Sequence, residues 1–157
     1  METLSKIARV DRMMGFILLL ALAFGCSKKD STAELSKKLC EAVSKGYVTQ
    51  VQKLLREHPK LVNIKGSDEM KSTPLHLAVE NNRFEIANEL LKSGANINAQ
   101  NQHGQTPLHL AAMSGNVELA QRLLSLNARK DVRDHWGQSA LMYATKRGHP
   151  EVAKRLR

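Results

Sequence analysis

Two kinds of hydrophobic pattern divide the chain. Near its start, apolar residues run unbroken from Phe16 to Phe24, bounded by Gly15 and Gly25 and followed by Cys26. Further on, apolar residues recur in short clusters with helical spacing: Val51, Leu54 and Leu55, then Ile86, Leu90 and Leu91, then Leu119, Leu123 and Leu124. Spacings of three and four put such side chains on one face of an α-helix. The pattern predicts a succession of short amphipathic helices, each with one face to bury.

The clusters are copies of one unit. Thr73-Pro74-Leu75-His76-Leu77-Ala78 recurs 33 residues later as Thr106-Pro107-Leu108-His109-Leu110-Ala111, and again 33 residues on as Ser139-Ala140-Leu141-Met142-Tyr143-Ala144. Downstream markers keep the same step: Leu90 and Leu91, Leu123 and Leu124, Leu156; and Asn82, Gly115, Gly148. Gly94-Ala95-Asn96-Ile97-Asn98-Ala99 answers to Leu126-Asn127-Ala128-Arg129, with the small residues displaced or replaced. A fixed period of this length marks a solenoid whose units bury their apolar faces against one another. Thr73 and Thr106 suit helix N-caps, and proline at the first helical position forfeits no hydrogen bond. Gly115 and Gly148 suit the left-handed conformation that closes a helix.

These motifs resemble the ankyrin repeat, and the resemblance covers about residues 34 to 157. It implies an all-α solenoid of about four helix-turn-helix repeats with short β-hairpin fingers projecting between them. The repeats are placed at about 34–66, 67–100, 101–133 and 134–157. The first is divergent: Leu39-Cys40-Glu41-Ala42-Val43-Ser44-Lys45-Gly46 aligns with the inner helix, but the step from Leu54 to Leu90 is 36, three residues longer through His58-Pro59-Lys60. It lacks the Thr-Pro-Leu-His signature, as a capping repeat would. At the other end Lys154, Arg155 and Arg157 suit a solvated face and the negative end of a helix. In the family the motif histidine bonds within and between repeats, so His76 and His109 are expected to be structural, and His149 after Gly148 likewise.

The opening segment reads as an address. Lys6, Arg9 and Arg12 precede the apolar run, and a basic start, a short apolar stretch and a small residue before the cut form a secretory signal peptide over 1–25. The uncharged stretch from Met13 to Ser27 is 15 residues, short of the ~20 a spanning helix requires. Ala23-Phe24-Gly25-Cys26 resembles the lipobox of bacterial lipoproteins, which implies lipid on Cys26 after cleavage before it. That family prefers leucine where this chain has Ala23. Residues 26–33 read as a polar tether, and a lipidated Cys26 would leave Cys40 as a lone thiol expected to be buried.

Composition narrows the chemistry. The 157 residues are one domain's worth, and two cysteines cannot build a disulfide scaffold. Twenty-four basic against 15 acidic residues give +9, of which the first 25 residues supply only +1. The six aromatics are too few for a stacking platform, and the basic residues form no single run, so nucleic acid is not expected as a partner. There is no phosphate loop, nucleophile elbow, paired carboxylate or metal-ligand spacing. No catalytic residue, cofactor or metal is expected, and the chain is read as not an enzyme. His103 and His135 fall on neighbouring fingers without an acidic or thiol partner.

What remains is recognition. The repeat pattern puts Glu69 and Met70 on the second finger, Gln102, His103 and Gln105 on the third, and His135, Trp136 and Gln138 on the fourth. Met113 and Ser114, and Lys146 and Arg147, are the variable inner-helix pairs beside them. Trp136, the only tryptophan, sits at a finger position normally exposed, and tryptophan concentrates binding energy at interfaces. Met113 and Arg147 are expected to complete a mixed apolar and basic patch with it. The reading is a monomeric periplasmic protein-binding module, held to the membrane only by lipid on Cys26. Its partner would be a periplasmic enzyme such as a cell-wall hydrolase or toxin, inhibited in a self-protection arrangement. The alternatives are a scaffold for an exported enzyme, as in oxidative-stress defence, an envelope structural lipoprotein, and an effector delivered into a host cell.

Overall fold

The computed structural model describes residues 31–66 and 69–157. The signal peptide, Cys26 and all but the end of the tether lie outside these residues. Eight α-helices follow in pairs: α1 (Thr32–Lys45) and α2 (Val48–Glu57), α3 (Pro74–Glu80) and α4 (Phe84–Lys92), α5 (Pro107–Ser114) and α6 (Val117–Ser125), α7 (Ala140–Lys146) and α8 (Pro150–Leu156). Helix α1 takes in Thr32 and Ala33, which the sequence reading gave to the tether. None of these helices is long and apolar enough to cross a membrane.

The inner helices α1, α3, α5 and α7 pack side by side in sequence, and the outer helices contact one another less. Alanine explains the asymmetry. Ala42, Ala78, Ala111 and Ala144 are at most 1% exposed, and their single methyl groups let inner helices approach closely. The outer helices face each other with Leu54, Ile86, Leu90, Leu119 and Leu123, all buried. Each such side chain stabilises the stack by roughly 1.5–3 kcal/mol.

Local chemistry sets the helix ends. Pro74, Pro107 and Pro150 open their helices, and Thr73, Thr106 and Ser139 occupy N-cap positions in extended conformation. At the turn into each outer helix a left-handed residue follows: Gly46, Asn82, Gly115 and Gly148. Asn82 manages φ +54° where the others are glycine, as asparagine tolerates that region best. Gly115 has a second constraint. A Cβ there would lie 2.5 Å from the His149 ring, whose Nε2 is 3.2 Å from the Met113 carbonyl. His149 is thus a clamp between the third and fourth repeats. Equivalent positions do the same: Arg83 donates to the Ser44 carbonyl at 3.0 and 3.1 Å, and Asn116 to Asn82 at 3.0 Å.

Two expectations need correction, on the strands and on Cys40, and one is narrowed. Among the described residues no strand forms, so the β-hairpin fingers are tight turns whose few residues leave no room for a ladder. Asn127 at φ +62° stands 33 residues after Gly94 at φ +87°, so the small residues are replaced in register, not displaced. Cys40 is half-buried, not buried: it takes the inner-helix place of the fully buried His76, but a groove lined by Ser36, Lys37, Ser44 and Leu77 opens beside it. The longer connection of the first repeat is a short 3₁₀ helix, Pro59–Asn63. It drives Leu61 and Val62 into the core at 3% and 7% exposure.

Candidate protein-interaction surface

The third and fourth fingers are each organised by one short polar side chain. In the third, Asn101 Oδ1 accepts the backbone N–H groups of His103 at 2.9 Å and Gln105 at 3.0 Å. The Asn101 N–H closes the base on the Gln105 carbonyl at 3.0 Å. In the fourth, Asp134 Oδ1 accepts Trp136 N–H at 3.0 Å and Gln138 N–H at 2.9 Å, with the same basal bond at 3.0 Å. Short side chains that bond their own backbone two residues on make such turns in isolation. The fingers are then chained together: Gln102 N–H donates to the Met70 carbonyl at 2.7 Å and His135 N–H to the His103 carbonyl at 3.0 Å.

The motif histidines hold the fingers from behind. His76 Nδ1 accepts the Thr73 backbone N–H at 3.3 Å, so its proton sits on Nε2, which donates to the Gln105 carbonyl at 2.9 Å. His109 repeats this with Thr106 at 3.1 Å and the Gln138 carbonyl at 3.2 Å. Both rings are at most 1% exposed. Burial pulls both imidazoles below the ordinary value of 6.5, against the smaller opposing effect of their carbonyl partners. They are neutral structural links, each with its two nitrogens satisfied.

Tyr143, which sequence reasoning missed, ties the fourth finger to α7. Its hydroxyl donates to Asp134 Oδ2 at 2.6 Å and accepts from Gln105 Nε2 at 3.3 Å. Burial alone pushes the Asp134 carboxyl up, but the hydrogen bonds from Tyr143, Gln138 and Trp136 outweigh it and hold the carboxyl below its usual range. Burial, then the bond to Asp134, raises the Tyr143 phenol. The available signal was the 33-residue step, which puts Tyr143 where Leu77 and Leu110 stand and Asp134 where Asn101 stands.

The proposed contact residues divide. Glu69, Gln102, Ser114, His135, Lys146 and Arg147 are exposed, and Met70, His103, Met113 and Gln138 are half-buried. Gln105 is not available to a partner. It is 5% exposed, and its amide is committed to Tyr143 and Met113 Sδ at 3.3 and 3.7 Å. The fourth finger covers it, a long-range effect that position within one repeat does not carry. Trp136 is 59% exposed and leans on the His103 ring, with centroids 5.0 Å apart. Met113 Sδ reaches the base of the third finger at Gln105 Nε2, and Arg147 lies close enough to the Tyr143 hydroxyl for its charge to act there. His103 and His135 meet only through their backbones, because the His135 ring packs over Gly104 instead. Among the described residues no group of three metal-ligating side chains is brought together.

Two models of ankyrin repeats match the chain, one over residues 94–157 and one over 62–111. The chain is also similar to the bovine (Bos taurus) Ankyrin repeat domain-containing protein 49, with 39% identity over 72 residues. That match takes in 46% of this chain and 29% of the relative, so the chain spans less than a third of the relative's length.

Proposed function

We propose, from the premise that this chain belongs to the ankyrin-repeat family, that its finger edge binds a partner enzyme in the periplasm and occludes it. Ankyrin repeats are protein–protein interaction modules, usually without catalytic chemistry of their own. The observation that carries the reading is Trp136: a large indole, mostly solvent-exposed, on a turn fixed by Asp134 and braced by His103. A rigid aromatic anchor presented in this way loses little entropy on binding. The leader over 1–25 and Cys26 are the basis for placing the module in the periplasm on a lipid anchor.

The test is capture from periplasmic extract on the immobilised chain, wild type beside Trp136→Ala, followed by assay of the captured enzyme. One enzyme held by wild type, lost with the variant and inactive while bound is the expected result. Truncating such an anchor typically costs ~2 kcal/mol or more. An enzyme that stays fully active in the complex replaces inhibition with a scaffolding role. Equal capture by both proteins rules out the finger edge.

A further inference from the structure

We infer that the partner meets the fourth repeat through an acidic polypeptide segment laid along α7 beside Trp136. This rests on the finger-edge reading and adds the chemical class of the partner.

The observation is a local charge imbalance that the scattered lysines and arginines of the sequence conceal. Residues 129–157 carry eight basic and three acidic side chains, whereas residues 67–100 carry three basic and five acidic. Two of the three acids are already engaged: Asp131 accepts from Arg129 at 2.9 Å, and Asp134 is 6% exposed inside its finger. Glu151 is the third, and it shares outer helix α8 with Lys154 and Arg155, so the cations left beside α7 are Arg133, Lys146 and Arg147.

Along the inner helices the equivalent pairs are Ser44–Lys45, Glu80–Asn81, Met113–Ser114 and Lys146–Arg147. Lys45 is paired with Glu41. Lys146 and Arg147 have no carboxylate partner among the described residues, and Arg147 is close enough for its charge to be felt at the Tyr143 hydroxyl. Arg133, on the approach to the fourth finger, is held by the Gly137 carbonyl at 2.8 Å. Cations therefore stand at both ends of α7, and the exposed indole of the same repeat leans on His103. That spacing of about 10 Å along one helix length suits an extended or helical acidic chain. A planar anionic bilayer is a poorer fit, because these cations line an edge from which a finger projects instead of a flat face. Complementary charge of this kind sets orientation and association rate, while the aromatic anchor supplies much of the affinity.

Trp136 is the only tryptophan, so its emission reports directly on the site. The purified chain is titrated with short poly-L-glutamate, with poly-L-lysine as the opposite charge, and with phosphatidylglycerol vesicles. The expected result is a saturable change in Trp136 emission with poly-L-glutamate alone, weakening steeply with salt. Lys146→Glu with Arg147→Glu weakens it about tenfold or more, the scale of a lost close charge pair. Lys53→Glu with Arg56→Glu, on outer helix α2, leaves it unchanged. Equal loss in both double variants, or no loss in either, overturns the proposal. Stronger binding to vesicles than to poly-L-glutamate also overturns it, in favour of a membrane surface. If the captured enzyme is lost with Trp136→Ala but kept by the Lys146/Arg147 reversal, the finger edge stands and the acidic class falls.

Discussion

The third and fourth fingers are the same turn in two environments. Their backbones superpose bond for bond: Asn101 and Asp134 each accept two N–H groups, and Gly104 and Gly137 lie at φ +75° and +71°. Their surroundings differ. A Cβ on Gly104 would meet the His135 ring at 2.7 Å, while Gly137 has nothing within 4 Å. Gln105 is buried and its amide well partnered, but Gln138 is half-buried with its Oε1 left without a donor. The missing donor comes down to one atom pair. Asn101 can turn its NH₂ towards Gln105 Oε1, at 3.4 Å, whereas the carboxylate of Asp134 has no proton to give and takes the Tyr143 hydroxyl instead. The third finger is a structural layer, and the fourth is the same layer turned to solvent.

The largest test of this difference is to remove each supporting imidazole. His76→Ala leaves the buried Thr73 N–H unpaired, at roughly 1–3 kcal/mol, and takes from the Gln105 carbonyl one of its two donors, the Asn101 N–H remaining, so a loss of about 3 kcal/mol is expected. His109→Ala should cost less, about 2 kcal/mol, because its finger can take water in place of the lost bond. Urea denaturation of both variants measures this, and equal losses would erase the distinction between the layers.

Acid probes the same two rings. Their folded pKa values lie below the ordinary 6.5, so the unfolded chain binds protons first as pH falls. Their contribution to stability is complete above pH 6.5 and drains away below it, at about 1.4 kcal/mol for each unit by which a pKa is lowered. Melting temperature followed from pH 7.5 downward, alongside NMR titration of the imidazoles, should show the loss before any carboxylate titrates. A flat melting temperature down to pH 5 contradicts it.

The smallest effect is the most specific. Asp134→Asn makes the fourth finger chemically like the third and provides a donor for Gln138 Oε1. Stability should change by no more than about 1 kcal/mol, the worth of one neutral hydrogen bond. A loss well beyond that would mean the ionised Tyr143–Asp134 bond is what holds the finger.

Much of the architecture was legible along the chain. The 33-residue step located the inner and outer helices, because caps, prolines and left-handed turn residues act within a few residues of where they stand. The 3₁₀ segment at Pro59–Asn63 escaped notice, since along the chain it shows only as a step three residues longer. The candidate surface was legible only in part. Trp136 stood out by its rarity, but Gln105 was assigned to the surface and Tyr143 was passed over. Both depend on a contact across 38 residues.

What the sequence determined by itself is the repeating unit: its period, its helix ends, the turn chemistry of Asn101 and Asp134, and the bonding role of His76 and His109. Which copy of an equivalent position is core and which is surface was decided by the stack alone. Each repeat buries the one before it, so Gln105 disappears beneath the fourth finger while Trp136 on that finger stays open. Local chemistry builds the turn, and stacking, which is non-local, decides what each turn covers.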